Sequence, residues 1–467
     1  MTIPLQALAC HGICCVGSCN RRGRSLDWKN QPSVGGAKTF RSCEWQQITI
    51  LGIGILKNVI RQLRPHIGNI FWSNCNTGII ALTALVKSVV FVRLGSKELY
   101  GQYLSVLAMV QLLSLVSVSG SRTVVFRAIA QNYDGVYRAA THFSFVRSLL
   151  GVPVLLGVAA VLYYVMSPVV GIGMAVAAIF FPFVTSLENW TSVLKGRVEF
   201  SKLSLANLLR YGTGLIAVAA AILLTNNLIA VLLTYFVVHS GFNVLYHVRC
   251  LASARNTEVD PGWRRQSYAL TTMELSHVIF GQVDILLIAA LLPMDRVAVY
   301  GLVMKLVAVF LTATKSTVEG IVPRLFRSDR VTVGYFYKFF VLSIVVSVII
   351  AWLIRYPILW VYGSAYAELI PYTRLYMLAI PVYFLFAVVS HLMIKHQMNR
   401  EINGSTILGI VTVIGLYVVL IPIYGIWGGI VASLLYFVVQ MMAGLLFLRT
   451  RREKTGDPGG RGFSAAC

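Results

Sequence analysis

The sequence predicts an all-α polytopic membrane protein of about twelve transmembrane helices in two pseudo-symmetric six-helix lobes, and three observations carry that expectation. Charged residues fill 12% of the 467 positions and hydrophobic residues 57%, whereas soluble domains are charged at roughly a quarter of their positions. Apolar stretches of about 20 residues, enough to cross a hydrocarbon core of about 30 Å, recur along almost the whole chain after residue 68. The chain also repeats itself, with Tyr100-Gly101, Ala108, Gly120 and Phe126-Arg127 matched by Tyr300-Gly301, Ala308, Gly320 and Phe326-Arg327, each 200 positions later.

Read against their polar breaks, the apolar runs give spans at 69–92, 99–121, 143–166, 168–187, 204–225, 228–248, 267–292, 297–322, 336–362, 371–394, 405–423 and 427–448. When these alternate across the membrane, one set of loops collects Arg122, Arg127 and Arg138, then Lys195, Arg197 and Lys202, then Arg249, Arg255, Arg264 and Arg265. The same side receives Arg324, Arg327 and Arg330, Lys395 and Arg400, and Arg449, Arg451, Arg452 and Lys454. The other side holds Arg93, Lys97, Arg296 and Arg374. Basic residues mark the cytoplasmic loops, so both termini are expected in the cytoplasm. Loops on the outer side are short, the longest near Gly363–Ile370, which leaves no room for a catalytic domain there. A polymerase or other membrane enzyme of glycan assembly therefore loses ground.

The net charge of +23 has the same origin. Its Lys and Arg residues lie in short clusters between apolar runs, not in a basic domain interleaved with aromatics, so no nucleic-acid partner is expected. Membrane lipids are the partner that the composition requires.

The repeat divides the chain into an N-terminal extension at 1–65, an N-lobe at 66–250 with helices one to six, and a basic linker at 251–266 containing Pro261-Gly262. A C-lobe at 267–448 and a basic cytoplasmic tail at 449–467 follow. Because six is even, the repeats run parallel and leave a cleft between them for alternating access. The extension carries Cys10, Cys14, Cys15, Cys19 and Cys43 with His11 among them. These lack two separated Cys-x-x-Cys-like pairs, so no metal is expected, and the segment reads as disordered or as preceding the true start.

Ionisable residues within the spans are functional candidates, since a charge at mid-membrane costs about 2.5–3.5 kcal/mol on insertion scales. In the seventh span Glu274, His277, Gly281 and Asp284 share a face within about 80°, and in the eighth Lys305, Thr312, Lys315, Ser316 and Glu319 fall within about 100°. Depth matches Asp284 with Lys305 and Glu274 with Lys315, so two interhelical ion pairs are expected. Two readings of them stay open: they lock the hairpin, or one carboxylate takes up H+ or Na+ to drive a transport cycle. In the first lobe, Asn76, Thr83 and Lys87 share a helix face, while Arg147 and Arg210 lie inside the third and fifth spans. Only Glu188, near the inner surface, offers an acid at similar depth.

Three motifs resemble a known family. The stretch Arg93-Leu94-Gly95-Ser96-Lys97-Glu98-Leu99-Tyr100-Gly101-Gln102-Tyr103 resembles an outer turn of polysaccharide flippases. These are the Wzx-type O-antigen transporters of the multidrug/oligosaccharidyl-lipid/polysaccharide (MOP) exporter superfamily. Asp284 followed by Val299-Tyr300-Gly301 is similar to their seventh-helix pattern, and Ile421-Pro422-Ile423-Tyr424-Gly425-Ile426-Trp427-Gly428-Gly429 to the turn before their last helix. Where the family often carries Asn in the helix before that turn, this chain has Thr412, Gly415 and Leu416.

The resemblance covers about residues 66–448 and implies a MATE-like fold in the bacterial inner membrane. It implies a flippase that moves undecaprenyl-diphosphate-linked O-antigen or exopolysaccharide units outward for lipopolysaccharide or polysaccharide biosynthesis, with glycan polymerase and ligase machinery as partners. No cofactor is implied beyond H+ or Na+ coupling. On this reading Lys87, Arg147, Arg210 and Lys305 are substrate-binding cations, Arg being suited to bidentate phosphate contact. Snorkelling of Lys87 and Arg147 to the interfaces is the alternative. The runner-up function is a cation-coupled multidrug exporter of the same superfamily, and a membrane enzyme of glycan assembly ranks below it.

Overall fold

The structure, a computed structural model, describes residues 68–69, 71–165, 167–327, 333–395 and 398–455. The cysteine-rich extension, Arg330, the side chains of His277 and Glu319, and the tail beyond residue 455 lie outside the described residues.

No strand occurs among the described residues. Among the described residues, ten helices are long and apolar enough to cross a membrane, or eleven when one bent pair counts as a single span. The first half contains α1 (Phe71–Leu94), α2 (Lys97–Leu113), α3 (Ser121–Ala130), α4 (Gly135–Val165), α5 (Pro168–Thr185), α6 (Trp190–Gly196), α7 (Phe200–Thr225) and α8 (Leu228–Ala252). The second contains α9 (Trp263–Leu291), α10 (Met294–Arg327), α11 (Val333–Leu353), α12 (Arg355–Tyr362), α13 (Leu369–Tyr376), α14 (Ala379–Lys395), α15 (Asn399–Tyr424) and α16 (Ile426–Thr455).

Short polar breaks set the ends. Ser96 caps α2 by accepting the Leu99 amide at 3.1 Å, and Asn227 caps α8 by accepting the Ile229 amide at 2.8 Å, each supplying a partner for an otherwise unsatisfied donor. Pro168 occupies the first turn of α5, where its missing N–H costs nothing. Gly425, at φ 57°, reverses the chain between α15 and α16, a left-handed conformation open to glycine without strain.

Two expected spans end in 3-10 turns and a third is bent. The second runs as α2, a 3-10 turn at Ser114–Ser117, and then α3. The fourth passes beyond Pro182 into a 3-10 turn at Leu187–Asn189 before α6. The ninth is the bent pair, α12 being turned by 40° from α11. The remaining span is α9, whose 29 residues are long enough to cross and include the apolar stretch Val278–Leu291.

α4 packs on α5, and α5 and α7 on α8; in the second half α15 and α14 pack on α16, and α10 on α14. The halves meet where α2 lies against α10 and α9. Here the sequence repeat acquires a physical meaning. Gly101 of α2 abuts the Met294 backbone and Gly301 of α10 abuts the Leu104 side chain, while Tyr100 and Tyr300 beside them are fully buried. Any Cβ at Gly101 would collide with main chain, so the matched Tyr-Gly pairs mark the closest approach of the two halves.

α9 belongs to both halves. At its first turns Trp263 joins a core with Val124, Tyr137 and Trp190 of the first half, and Gly120 donates its amide to Thr271 Oγ1 at 3.0 Å. At its far end Phe280 stacks on Tyr436 with ring centroids 3.8 Å apart, and Ile288 packs under Gly429. The segment before it is strapped to the first half through Asp134, which accepts from Arg197 and from the Arg255 amide, each at 2.8 Å.

Candidate functional site

Below, the basic end is the one carrying Arg122 and Lys195, and the far end the one carrying Arg93 and Lys97. Between them, at the seam of the halves, lies a cluster of cations. α1 supplies Lys87, α7 Arg210 and α10 Lys305. Lys87 lies within electrostatic range of both Arg210 and Lys305. Neutral aromatic groups surround them. Lys305 Nζ donates to Tyr100 Oη at 2.7 Å across the seam, and Lys87 Nζ sits 4.7 Å from the centroid of the Tyr235 ring of α8. Ring faces attract cations, but such a contact is worth about 0.5–2 kcal/mol and leaves the charge uncompensated.

Arg210 corrects an expectation. It is 3% exposed and pairs with Glu188 at 2.9 Å, and Arg122 grips the other oxygen of the same carboxylate at 2.9 Å. The 3-10 turn after α5 carries Glu188, the one acid that the sequence offered at similar depth, to α7, so Arg210 has a protein partner. Among the described residues no ion pair reaches Lys87 or Lys305. The two arginines take both oxygens of Glu188, so Lys87 and Lys305 have no carboxylate of their own among the described residues.

Arg147 does not join the cluster. It is exposed, donates to Tyr268 Oη at 2.8 Å, and lies against the Phe143 ring. The expected Asp284–Lys305 pair is not made either. Asp284 is fully buried and accepts from Tyr300 Oη at 2.8 Å and from the Ile285 amide at 2.7 Å. Tyr300 and Tyr417 both reach Ser433, at 3.4 and 2.8 Å. Equal depth along two helices matched these residues in the sequence, but Lys305 faces α2 while Asp284 faces α10 and α16. Glu274 is half-buried on α9, and Lys315 is exposed on α10.

His239 lies i+4 from Tyr235 on α8. It is 1% exposed; its Nδ1 donates to the Tyr235 carbonyl at 3.0 Å, and its Nε2 has no protein partner. The Asn76 of the predicted α1 face accepts from Asn207 Nδ2 of α7 at 2.7 Å.

At the far end a second network ties the halves. Arg93 donates to the carbonyls of Val361 and Trp360 at 2.9 and 3.0 Å, and the Ser88 and Tyr362 hydroxyls are 3.0 Å apart. Glu368 takes Lys97 and Arg296 together. The cations of the sparsely charged end therefore hold α12 and the turn after it against α1 and α2.

No family model matches the chain, and neither does any curated protein. Solved structures do. The lipid II flippase MurJ in an inward closed conformation superposes with a TM-score of 0.64 at 11% identity, over 81% of this chain and 87% of that one. An inward-facing multidrug resistance MATE transporter of the MOP superfamily gives 0.64 at 13%, over 82% and 98%. The eukaryotic MATE transporter AtDTX14 gives 0.55 at 12%, over 83% and 96%. The chain has the MATE-like fold of MOP transporters, as the motifs implied, and is a multi-pass membrane protein.

Proposed function

We propose that the protein is a flippase for an undecaprenyl-diphosphate-linked oligosaccharide, an O-antigen or exopolysaccharide unit, working by alternating access between its halves. The observation that carries the reading is the pair of lysines, Lys87 and Lys305, at the seam beside the Arg210–Glu188 pair, with no carboxylate of their own among the described residues. Low dielectric makes uncompensated cations costly, and a diphosphate supplies the missing charge. Support comes from the shared fold with a lipid II flippase, a protein whose cargo is by name a lipid.

In this reading the basic end faces the cytoplasm of a bacterium, both termini lie there, and polymerase and ligase machinery receive the product. The N-lobe at 66–250 and C-lobe at 267–448 rock about the α2/α10 seam. Asp284, buried among hydroxyls with no cation paired to it among the described residues, is the group that takes up H+ or Na+.

The same carboxylate is what favours the second reading, a cation-coupled drug exporter, because the MATE fold is matched equally well. Lys87→Gln and Lys305→Gln separate the two. Each removes a charge-assisted contact worth about 1.5–3 kcal/mol, roughly ten- to a hundredfold in substrate affinity. Surface glycan should fall with lipid-linked precursor accumulating, and drug sensitivity should stay as before. Unchanged glycan together with raised drug sensitivity would favour the exporter.

A further inference from the structure

A cleft of about 320 Å³ opens at the basic end of the first half, and Glu188 and Arg122 connect it to the cation cluster. Its walls come from α1, α3, α6, α7 and the 3-10 turn between α5 and α6. Two charged residues that line it are already engaged, Glu188 and Arg122 being joined at 2.9 Å. A third, Lys195, is exposed, and the rest of the lining is neutral, including the amides of Asn76 and Asn207, the hydroxyls of Thr191 and Ser192, and the rings of Tyr211 and Phe126.

Asn207 makes the cleft a built site. It is 4% exposed, spends its Nδ2 on Asn76, and leaves its Oδ1 buried with no partner. A buried carbonyl left unsatisfied is costly, so it marks a place where a donor is missing. Thr191 spends its proton on the Glu188 carbonyl at 3.0 Å, which leaves its lone pairs to accept. A ligand meeting these groups must carry several hydroxyls that both donate and accept, and it needs an apolar face for Tyr211 or Phe126. A sugar ring has both. The volume lies at the lower end of the roughly 300–1,000 Å³ of small-molecule sites, enough for about one or two rings.

Position supports the same ligand. Tyr211 follows Arg210, and Arg210 stands between the cleft, through Glu188, and the unpaired lysines, through its proximity to Lys87. A sugar bonded to a diphosphate would lie next to that diphosphate in this way. We infer that the cleft formed by Asn76, Asn207, Thr191, Ser192 and Tyr211 is the subsite for the diphosphate-proximal sugar of the substrate, and that it sets which glycan the protein accepts. The inference rests on the flippase reading and adds to it a place and a chemistry for selectivity.

Binding by the purified full chain in lipid nanodiscs tests it. The probes are undecaprenyl diphosphate without sugar and a panel of undecaprenyl diphosphates carrying one hexose, one N-acetylhexosamine or one deoxyhexose. At least one glycosylated probe should bind about tenfold more tightly than the sugar-free lipid. Asn207→Leu and the isosteric Thr191→Val should each erase most of that advantage while leaving the sugar-free affinity in place. A wild-type protein with no preference for any sugar overturns the inference and leaves the flippase reading standing. So does an equal fall for both kinds of probe in the Thr191→Val protein, because the cleft would then serve the diphosphate. Failure of the wild type to bind any polyprenyl diphosphate overturns the flippase reading itself.

Discussion

Lys305 and Arg210 are both buried cations, yet their removal should have opposite consequences. Lys305 leans on a neutral phenol, so Lys305→Gln strands no counter-charge, and the protein level in the membrane and its melting temperature in detergent should stay close to wild type while transport falls. Arg210→Ala removes one of the two guanidinium partners of Glu188. Breaking a buried pair costs about 3–5 kcal/mol, and the surviving Arg122 contact puts the expected loss near the lower figure. Melting of the purified variant should show it, and Arg210→Ala with Glu188→Gln should recover most of it. A double variant as unstable as the single one would count against the pairing. Arg147→Ala should leave glycan export nearly unchanged, since Arg147 is exposed and bonded to Tyr268, away from the cluster. The sequence revealed these residues as charges inside apolar spans, which is a matter of composition. It offered Glu188 by depth alone, and the 3-10 turn after α5 is what brings that carboxylate to Arg210.

Among the elements, α2 and the α12–α13 segment bear most directly on the proposed cycle. α2 meets the Met294 backbone of α10 through Gly101, so Gly101→Val should force it away from α10. Overpacking of this kind typically costs about 1–3 kcal/mol, and a fall in melting temperature with loss of transport is expected; full stability would contradict the close approach. The far-end network is different. Lys97 and Glu368 are each about a third exposed, and exposed pairs contribute about 0–1 kcal/mol. Glu368→Gln should therefore barely change melting but should favour opening at that end by a few-fold. Labelling of a cysteine placed at Ser88 by a membrane-impermeant maleimide, added from outside, would measure the shift. No change in labelling rate would show that Glu368 does not hold that end closed.

For the molecule as a whole, the expected rocking of the halves makes two statements that can be checked in cells. Reporter fusions after Arg138 and Arg255 should lie in the cytoplasm, and fusions near Lys97, Asn226 and Gly363 outside. Joining cysteines at positions 97 and 368 with a short bifunctional maleimide should stop transport, because the far end could no longer open. Transport that continues after complete cross-linking would rule out alternating access at this seam.

The sequence by itself determined that the chain lies in a membrane as about a dozen helices, since hydrophobic length is a local property. It also determined the repeat, whose Tyr-Gly pairs stand at corresponding places on the two sides of the seam. Only the tertiary structure decided which charges meet. Asp284 and Lys305 agree in depth, but depth along a helix says nothing about the neighbour each face meets, and Tyr300 and Tyr100 occupy those places instead. The sharing of α9 between the halves was equally out of reach of the sequence. Its polar first turns suit the first half, its apolar end suits the second, and packing rather than chain order assigns each part to its core.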